Sequence, residues 1–313
     1  MLFRMLSGGL LAALLIGTAF AAEEKPQKVS SAVEDKAEAA MAKYRTRMLE
    51  KYPASREIVF KKTPSGDLKL YTYLPPNWKP SDRRPAVLFF HGGGWRGGDT
   101  SQFFLHAHDL AQEGFVAFSA DYRLKEKEGP VEQYFRCVED AKSAFRYLVA
   151  HADELGIDPA KIVTMGSSAG AHLAIAIALF DEYNDPADDA TIPTVPAAVI
   201  LGCPVVDCGP KPGYEVIHRL MGHEAALRFC PMRHLRAGVP PQLICLGTAD
   251  HILSEAHARE YLDKARSFGG IGELKMYEGA KHAFIYAEKW YREAKPDMRD
   301  FLTRLGLWPT PQP

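Results

Sequence analysis

Six short apolar runs punctuate the chain, at 86–90, 116–119, 162–165, 197–201, 242–246 and 274–277. None alternates with polar positions, which is the pattern of strands buried on both faces. Between them lie longer segments with apolar residues at helical spacing, at 101–112, 131–152, 169–181, 256–268 and 283–305. Strand and helix in alternation predict βαβ units wound onto one mostly parallel, twisted sheet with helices on both faces, an α/β fold. Ahead of this series, 58–60 and 68–73 flank the turn Ser65-Gly66-Asp67. That arrangement predicts an antiparallel hairpin at a sheet edge.

The same pattern divides the chain. Residues 5–22 carry no charge, Arg4 precedes them and Ala19-Phe20-Ala21 closes them. This reads as a signal peptide over 1–21, cleaved after Ala21, and predicts a secreted or periplasmic protein with no other membrane contact. Residues 22–56 form a Lys/Glu/Ala-rich lead-in, helical around 33–52, with no chemistry to assign. Residues 57–308 form the α/β domain. Two stretches, 181–196 and 208–241, exceed simple connections and are read as surface excursions, the second able to cap the site.

Composition narrows the partners. With 38 Lys+Arg against 39 Asp+Glu the formal charge is -1, so nucleic acid is not an expected partner. The five cysteines, Cys137, Cys203, Cys208, Cys230 and Cys245, have neither zinc-ribbon nor CxxC spacing. In an oxidising compartment Cys208 and Cys230 could pair, a point the sequence leaves open together with the oligomeric state.

Three loops carry chemistry. Strand 162–165 runs into Gly166-Ser167-Ser168-Ala169-Gly170 and then a helix, the G-x-S-x-G pattern in strand-turn-helix context. Ser168 is the candidate nucleophile, since side chains two positions away on either side would collide on so sharp a turn and glycines stand there. The Ala169 N–H opens the helix, where unpaired donors favour developing negative charge. Strand 86–90 ends in His91-Gly92-Gly93-Gly94-Trp95, and three glycines in a row suit backbone N–H groups that must approach a ligand closely. Gly93 and Gly94 are therefore assigned with Ala169 as oxyanion donors, and His91 and Trp95 as substrate-pocket candidates. Trp95 as core filler and His91 as a brace for the loop are the competing readings.

A serine hydroxyl needs a base to accept its proton. Among eleven histidines, His282 follows the last predicted strand in Gly279-Ala280-Lys281-His282, and Asp250 follows strand 242–246 in Gly247-Thr248-Ala249-Asp250. The order Ser168, Asp250, His282 fits a nucleophile, an orienting acid and a base. His251 is the fallback base, and His172 is expected to brace the elbow helix from beneath. His106 and His108, two apart on a predicted helix, diverge and are not read as metal ligands. The turn Asp121-Tyr122-Arg123 is expected either to support the glycine loop through an Arg or Asp hydrogen bond or to hold a structural salt bridge, which explains it as well. Neither metal nor cofactor is called for.

Phe89-Phe90-His91-Gly92-Gly93-Gly94-Trp95, Asp121-Tyr122-Arg123, Gly166-Ser167-Ser168-Ala169-Gly170 and Gly279-Ala280-Lys281-His282 together resemble the α/β-hydrolase superfamily, in its HGGG-bearing esterase branch, over residues 57 to 305. With Gly97-Gly98-Asp99 and the leader, the chain resembles bacterial feruloyl and acetyl-xylan esterases, and its lead strand also resembles kynurenine formamidases. The resemblance implies an α/β-hydrolase fold and a secreted serine carboxylic-ester hydrolase that removes acetyl or feruloyl groups from plant polysaccharide. It carries the triad onto Ser168, Asp250 and His282. Ser167 departs from the bulkier or histidine residue common before the nucleophile, which bears on fine specificity. A generic short-chain carboxylesterase, an arylformamidase and a catalytically silent binding protein are the alternatives.

Overall fold

The computed structural model describes residues 31–126, 129–209 and 215–310. The predicted leader, 1–21, lies outside the described residues, as do 22–30 of the lead-in and 210–214 of the second excursion. Among the described residues no helix is long and apolar enough to cross a membrane.

Eight strands form one sheet: β1 Arg56–Thr63, β2 Gly66–Tyr73, β3 Arg84–Phe90, β4 Val116–Ala120, β5 Ile157–Ser167, β6 Ala198–Gly202, β7 Gln242–Ala249 and β8 Gly272–Lys281, in spatial order β1-β2-β4-β3-β5-β6-β7-β8. β1 and β2 pair antiparallel, β2 runs antiparallel to β4, and every later pairing is parallel. The predicted hairpin is thus present at one edge, where the alternately exposed residues of β1 meet solvent. The unalternated runs of β4 and β6 are buried throughout. That burial is what a strand covered on both faces requires.

The helices are α1 Ser31–Lys51, α2 Phe104–Gln112, α3 Gln133–Ala150, α4 Ala152–Leu155, α5 Ala169–Leu179, α6 Glu215–Met221, α7 His223–Arg228, α8 Glu255–Ser267 and α9 Glu288–Arg304. α2 joins α9 through Tyr291, whose hydroxyl donates to Asp109, and through Lys295 paired with Asp109 and Glu113. α3 packs on α5.

The single helix expected over 283–305 is two pieces, a 3-10 turn at Phe284–Tyr286 and then α9. Ala283 is left-handed (φ 60°) and Ala287 extended, so the chain turns once after β8 and buries Tyr286 before the helix begins. From β3 the chain passes to β4 on one side and later to β5 on the other. The loops after β3 and β5 therefore flank a topological switch point, where open α/β sheets form their crevices.

Candidate active site

Ser168 is the one residue between β5 and α5, and its backbone is strained (φ 54°, ψ -121°). The two glycines around it behave as the sequence required. A methyl group on Gly166 would strike the Gly170 carbonyl, and one on Gly170 would strike the carbonyl oxygens of Phe90 and His91. The elbow is thus packed directly against the start of the glycine loop. The Ser168 N–H donates to Gly202 O at 2.8 Å, pinning the turn to the end of β6.

His282 follows β8 and Asp250 follows β7, so neighbouring parallel strands deliver them side by side. His282 Nε2 lies 2.9 Å from Ser168 Oγ, and its Nδ1 lies 2.9 Å and 3.1 Å from the two Asp250 oxygens. The Asp250 side chain is fully buried and that of His282 nearly so. Burial alone would raise the Asp250 carboxyl. The hydrogen bond and charge of His282, with the N–H groups of Ile252 and Leu253 donating at 2.8 Å and 3.1 Å, outweigh it and hold the group below the usual carboxylate range. An ionised carboxylate at Nδ1 fixes the imidazole proton there and leaves Nε2 free to accept from the serine. His251, the fallback base, is exposed with its ring 6.2 Å from that of His282.

The glycine loop is folded on itself. Arg96 and Gly97 N–H groups both donate to Gly93 O, at 3.2 Å and 3.0 Å, and Gly93 and Gly94 have positive φ of 130° and 62°. Those angles place their N–H groups where a residue with a side chain would be strained. A methyl group on Gly92 would lie 3.4 Å from Ser168 Cβ, so the loop lies directly against the serine.

Two pocket assignments are corrected. Trp95 is 1% exposed, its ring edge-on to His172 and Phe229, so it fills core beneath the elbow helix. His91 is 3% exposed, stacked on Tyr122 with Nδ1 donating to Gly92 O at 2.9 Å, and braces the loop. In both cases the turn after β3 directs the side chain into the protein while the glycines face the serine. Of the two readings of the turn 121–123, the structural salt bridge is the one present, and support of the glycine loop falls to a different side chain. Tyr122 supplies it, its hydroxyl donating to His91 O at 2.7 Å, while Arg123 pairs with Asp140 and Glu139 and Asp121 accepts from Lys69 N–H.

His172 is buried in α5 with Nε2 donating to Phe229 O at 2.8 Å, which ties the elbow helix to the second excursion. His106 is buried with Nε2 donating to Ile285 O, whereas His108 meets Tyr52. The five cysteines are all free thiols, and Cys208 and Cys230 are linked by a hydrogen bond from Cys208 N–H to Cys230 Sγ, not by a disulfide.

Sequence reasoning passed over Tyr286 and Gln102. The Gly92 N–H donates to Tyr286 Oη at 2.7 Å and Gln102 Oε1 at 3.1 Å, joining the loop after His282 to the glycine loop. Nothing in the spacing of either residue signals this: Tyr286 acts across 194 positions, and Gln102, ten positions on, sits in no recognisable motif. Tyr122 did carry a signal, since its motif had already been singled out.

A family model described as BD-FAE matches residues 70–196. Carboxylesterase NlhH of Mycobacterium tuberculosis is 29% identical over 70% of this chain and 72% of its own length. An AB hydrolase superfamily protein of Schizosaccharomyces pombe is also 29% identical, over 71% of this chain and 69% of its own length. Among solved structures, esterase 2 of Thermogutta terrifontis, with propionate bound, superposes at a TM-score of 0.75 with 36% identity, covering 84% of this chain and 98% of that one. The chain belongs to the α/β-hydrolase esterases. It is a serine ester hydrolase, similar to a carboxylesterase and to an esterase of known structure. The Thermogutta enzyme is also known with butyrate bound and phosphonylated by sarin.

Proposed function

We propose that this esterase is exported and removes acetyl or feruloyl groups from plant polysaccharide, through an acyl-enzyme on Ser168. The observation that carries the mechanism is the series Ser168 Oγ, His282, Asp250, each contact 2.9 Å, at a serine held in a strained elbow. His282 Nε2 takes the hydroxyl proton as Ser168 Oγ attacks the ester carbonyl. The Gly93, Gly94 and Ala169 N–H groups receive the charge on the carbonyl oxygen, each worth on the order of 3 kcal/mol of barrier. His282 returns the proton to the departing alcohol, and water repeats the sequence to release the acid. Covalent phosphonylation of the Thermogutta relative is in keeping with such a serine.

Support for a polysaccharide ester is the BD-FAE match together with the Gly97-Gly98-Asp99 motif after the glycine loop and the predicted leader. A second reading, a general short-chain carboxylesterase, is favoured by the propionate and butyrate complexes of the Thermogutta enzyme. Acetate or ferulate release from acylated xylan, measured beside p-nitrophenyl acetate hydrolysis, separates the two. Rapid turnover of the aryl ester with no release from xylan leaves the short-chain reading. Ser168→Ala is expected to lose activity by about 10³-fold or more, with no fluorophosphonate adduct. An adduct on Ser167 would move the nucleophile by one residue.

A further inference from the structure

Cys203 follows β6 and has no part in the acyl-transfer scheme, yet it stands beside the acid and the base. It is fully buried, and its left-handed backbone (φ 46°) is one that glycine would adopt without strain. Its N–H donates to Cys245 O at 2.9 Å, while the preceding Gly202 O holds Ser168 N–H. The residue is thereby fixed between the elbow and the loop of Asp250. Its sulfur faces the Ala283 and Gly247 N–H groups and the Asp250 carboxylate. One donor atom each from Cys203, Asp250 and His282 lie within 4.8 Å of one another.

We propose that Cys203, Asp250 and His282 form a binding site for a thiophilic divalent cation, and that its occupation switches the esterase off. A thiolate, a carboxylate and an imidazole are a ligand set for zinc or cadmium, whose donor atoms sit roughly 3.5 Å apart in a four-coordinate site, so little movement is needed. The two anionic ligands offset the charge of the ion, which a dry site demands. Binding displaces the thiol proton to solvent, and the ion takes the Nδ1 lone pair as the ring proton moves to Nε2. The bonds formed are metal–sulfur, metal–oxygen and metal–nitrogen. One proton leaves, no electron is transferred, and the imidazole stays neutral. With Nε2 protonated it can no longer accept from Ser168. Binding does not depend on the mechanism above, whereas inhibition rests on His282 being the base.

The test uses the purified full chain in metal-free buffer, with cadmium as probe and magnesium as the hard-cation control. Cadmium is expected to lower p-nitrophenyl acetate hydrolysis about tenfold or more, reversibly with a chelator, while magnesium does nothing. Cys203→Ala and Cys203→Ser, each referred to its own metal-free rate, are expected to change less than about twofold. Ultraviolet absorbance of the cadmium thiolate, read in a Cys208→Ser/Cys230→Ser background, reports binding independently of activity and falls on removing Cys203. Equal inhibition of wild type and Cys203 variants, inhibition by magnesium, or absorbance unaffected by Cys203 would overturn the site. If Ser168→Ala is inactive and no Cys203-dependent absorbance appears, the cation site falls and the serine mechanism stands. Cys203-dependent absorbance with an undiminished rate overturns the inhibition and with it the assignment of His282.

Discussion

At the scale of single residues, the electrostatics of buried carboxylates separate two roles. Asp250 sits under His282 and backbone N–H groups and stays ionised. Asp121, just after β4, accepts from Lys69 N–H, and burial pushes its carboxyl up to about 6 despite that bond and nearby Arg45. The folded chain therefore holds a proton on Asp121 that the unfolded chain has already released, from the ordinary value of 3.8 up to about 6. Stability from this group is complete below the unfolded value and declines as pH rises through that window. Asp121→Asn keeps an acceptor for Lys69 N–H. It is expected to stabilise the protein by about 1–2 kcal/mol at pH 8 and by nothing measurable near pH 4, by denaturant titration at both. The chemistry at this scale was legible where residue type and position coincide: Ser168, Asp250 and His282 stand directly after strands. It was not legible for Trp95 and His91, because a sequence gives no direction for a side chain on a turn.

At the scale of elements, α1 is the piece whose use the sequence did not reveal. Its amphipathic pattern is weak, yet Met48 is buried in the core with Tyr44 and Leu49 packed against that core, and Arg45 joins the helix to β2 and to the turn after the glycine loop. Arg45 pairs with Asp99 at 3.0 Å and donates to the Tyr71 hydroxyl on β2. Asp99 in turn accepts from Ser101 N–H and starts the 3-10 turn that leads from the glycine loop into α2. Arg45→Ala is expected to cost about 1 kcal/mol, with a melting point lower by a few degrees. A double-mutant cycle with Asp99→Asn should show the two losses to be less than additive, since one contact is removed by either change. The break between β8 and α9 was equally hidden. Residues 283–305 have helical spacing, and only the packing of Tyr286 against Gly92 N–H explains why the chain interrupts it.

At the scale of the whole molecule, the strand series was readable because each buried strand announces itself as an unalternated run, and parallel order follows from the intervening helices. The excursions were readable only as lengths. Two of the histidines that fasten the layers set a limit in acid. His106 is held by burial at about 4 and His172 at about 3, against 6.5 for a free ring, although each donates to a backbone carbonyl. Below pH 6.5 the unfolded chain takes up protons on these rings while the folded chain refuses them until about 4 and about 3 respectively. Stability then falls by up to ~1.4 kcal/mol per ring per pH unit, only partly countered by Asp121. Melting temperatures measured from pH 8 to pH 4.5 should hold down to about 6.5 and drop steeply beneath it. A flat profile would show that the two rings find protons without opening the fold.

Asp250 and His282 hang from adjacent strands, whereas Ser168 stands across β6, a strand of five residues. Warming that loosens this narrow spacer would part the hydroxyl from the ring before the ring parts from the carboxylate. The enzyme would then fall silent some degrees before it melts, and would recover at once on cooling, as an instrument drifts out of tune without a broken string.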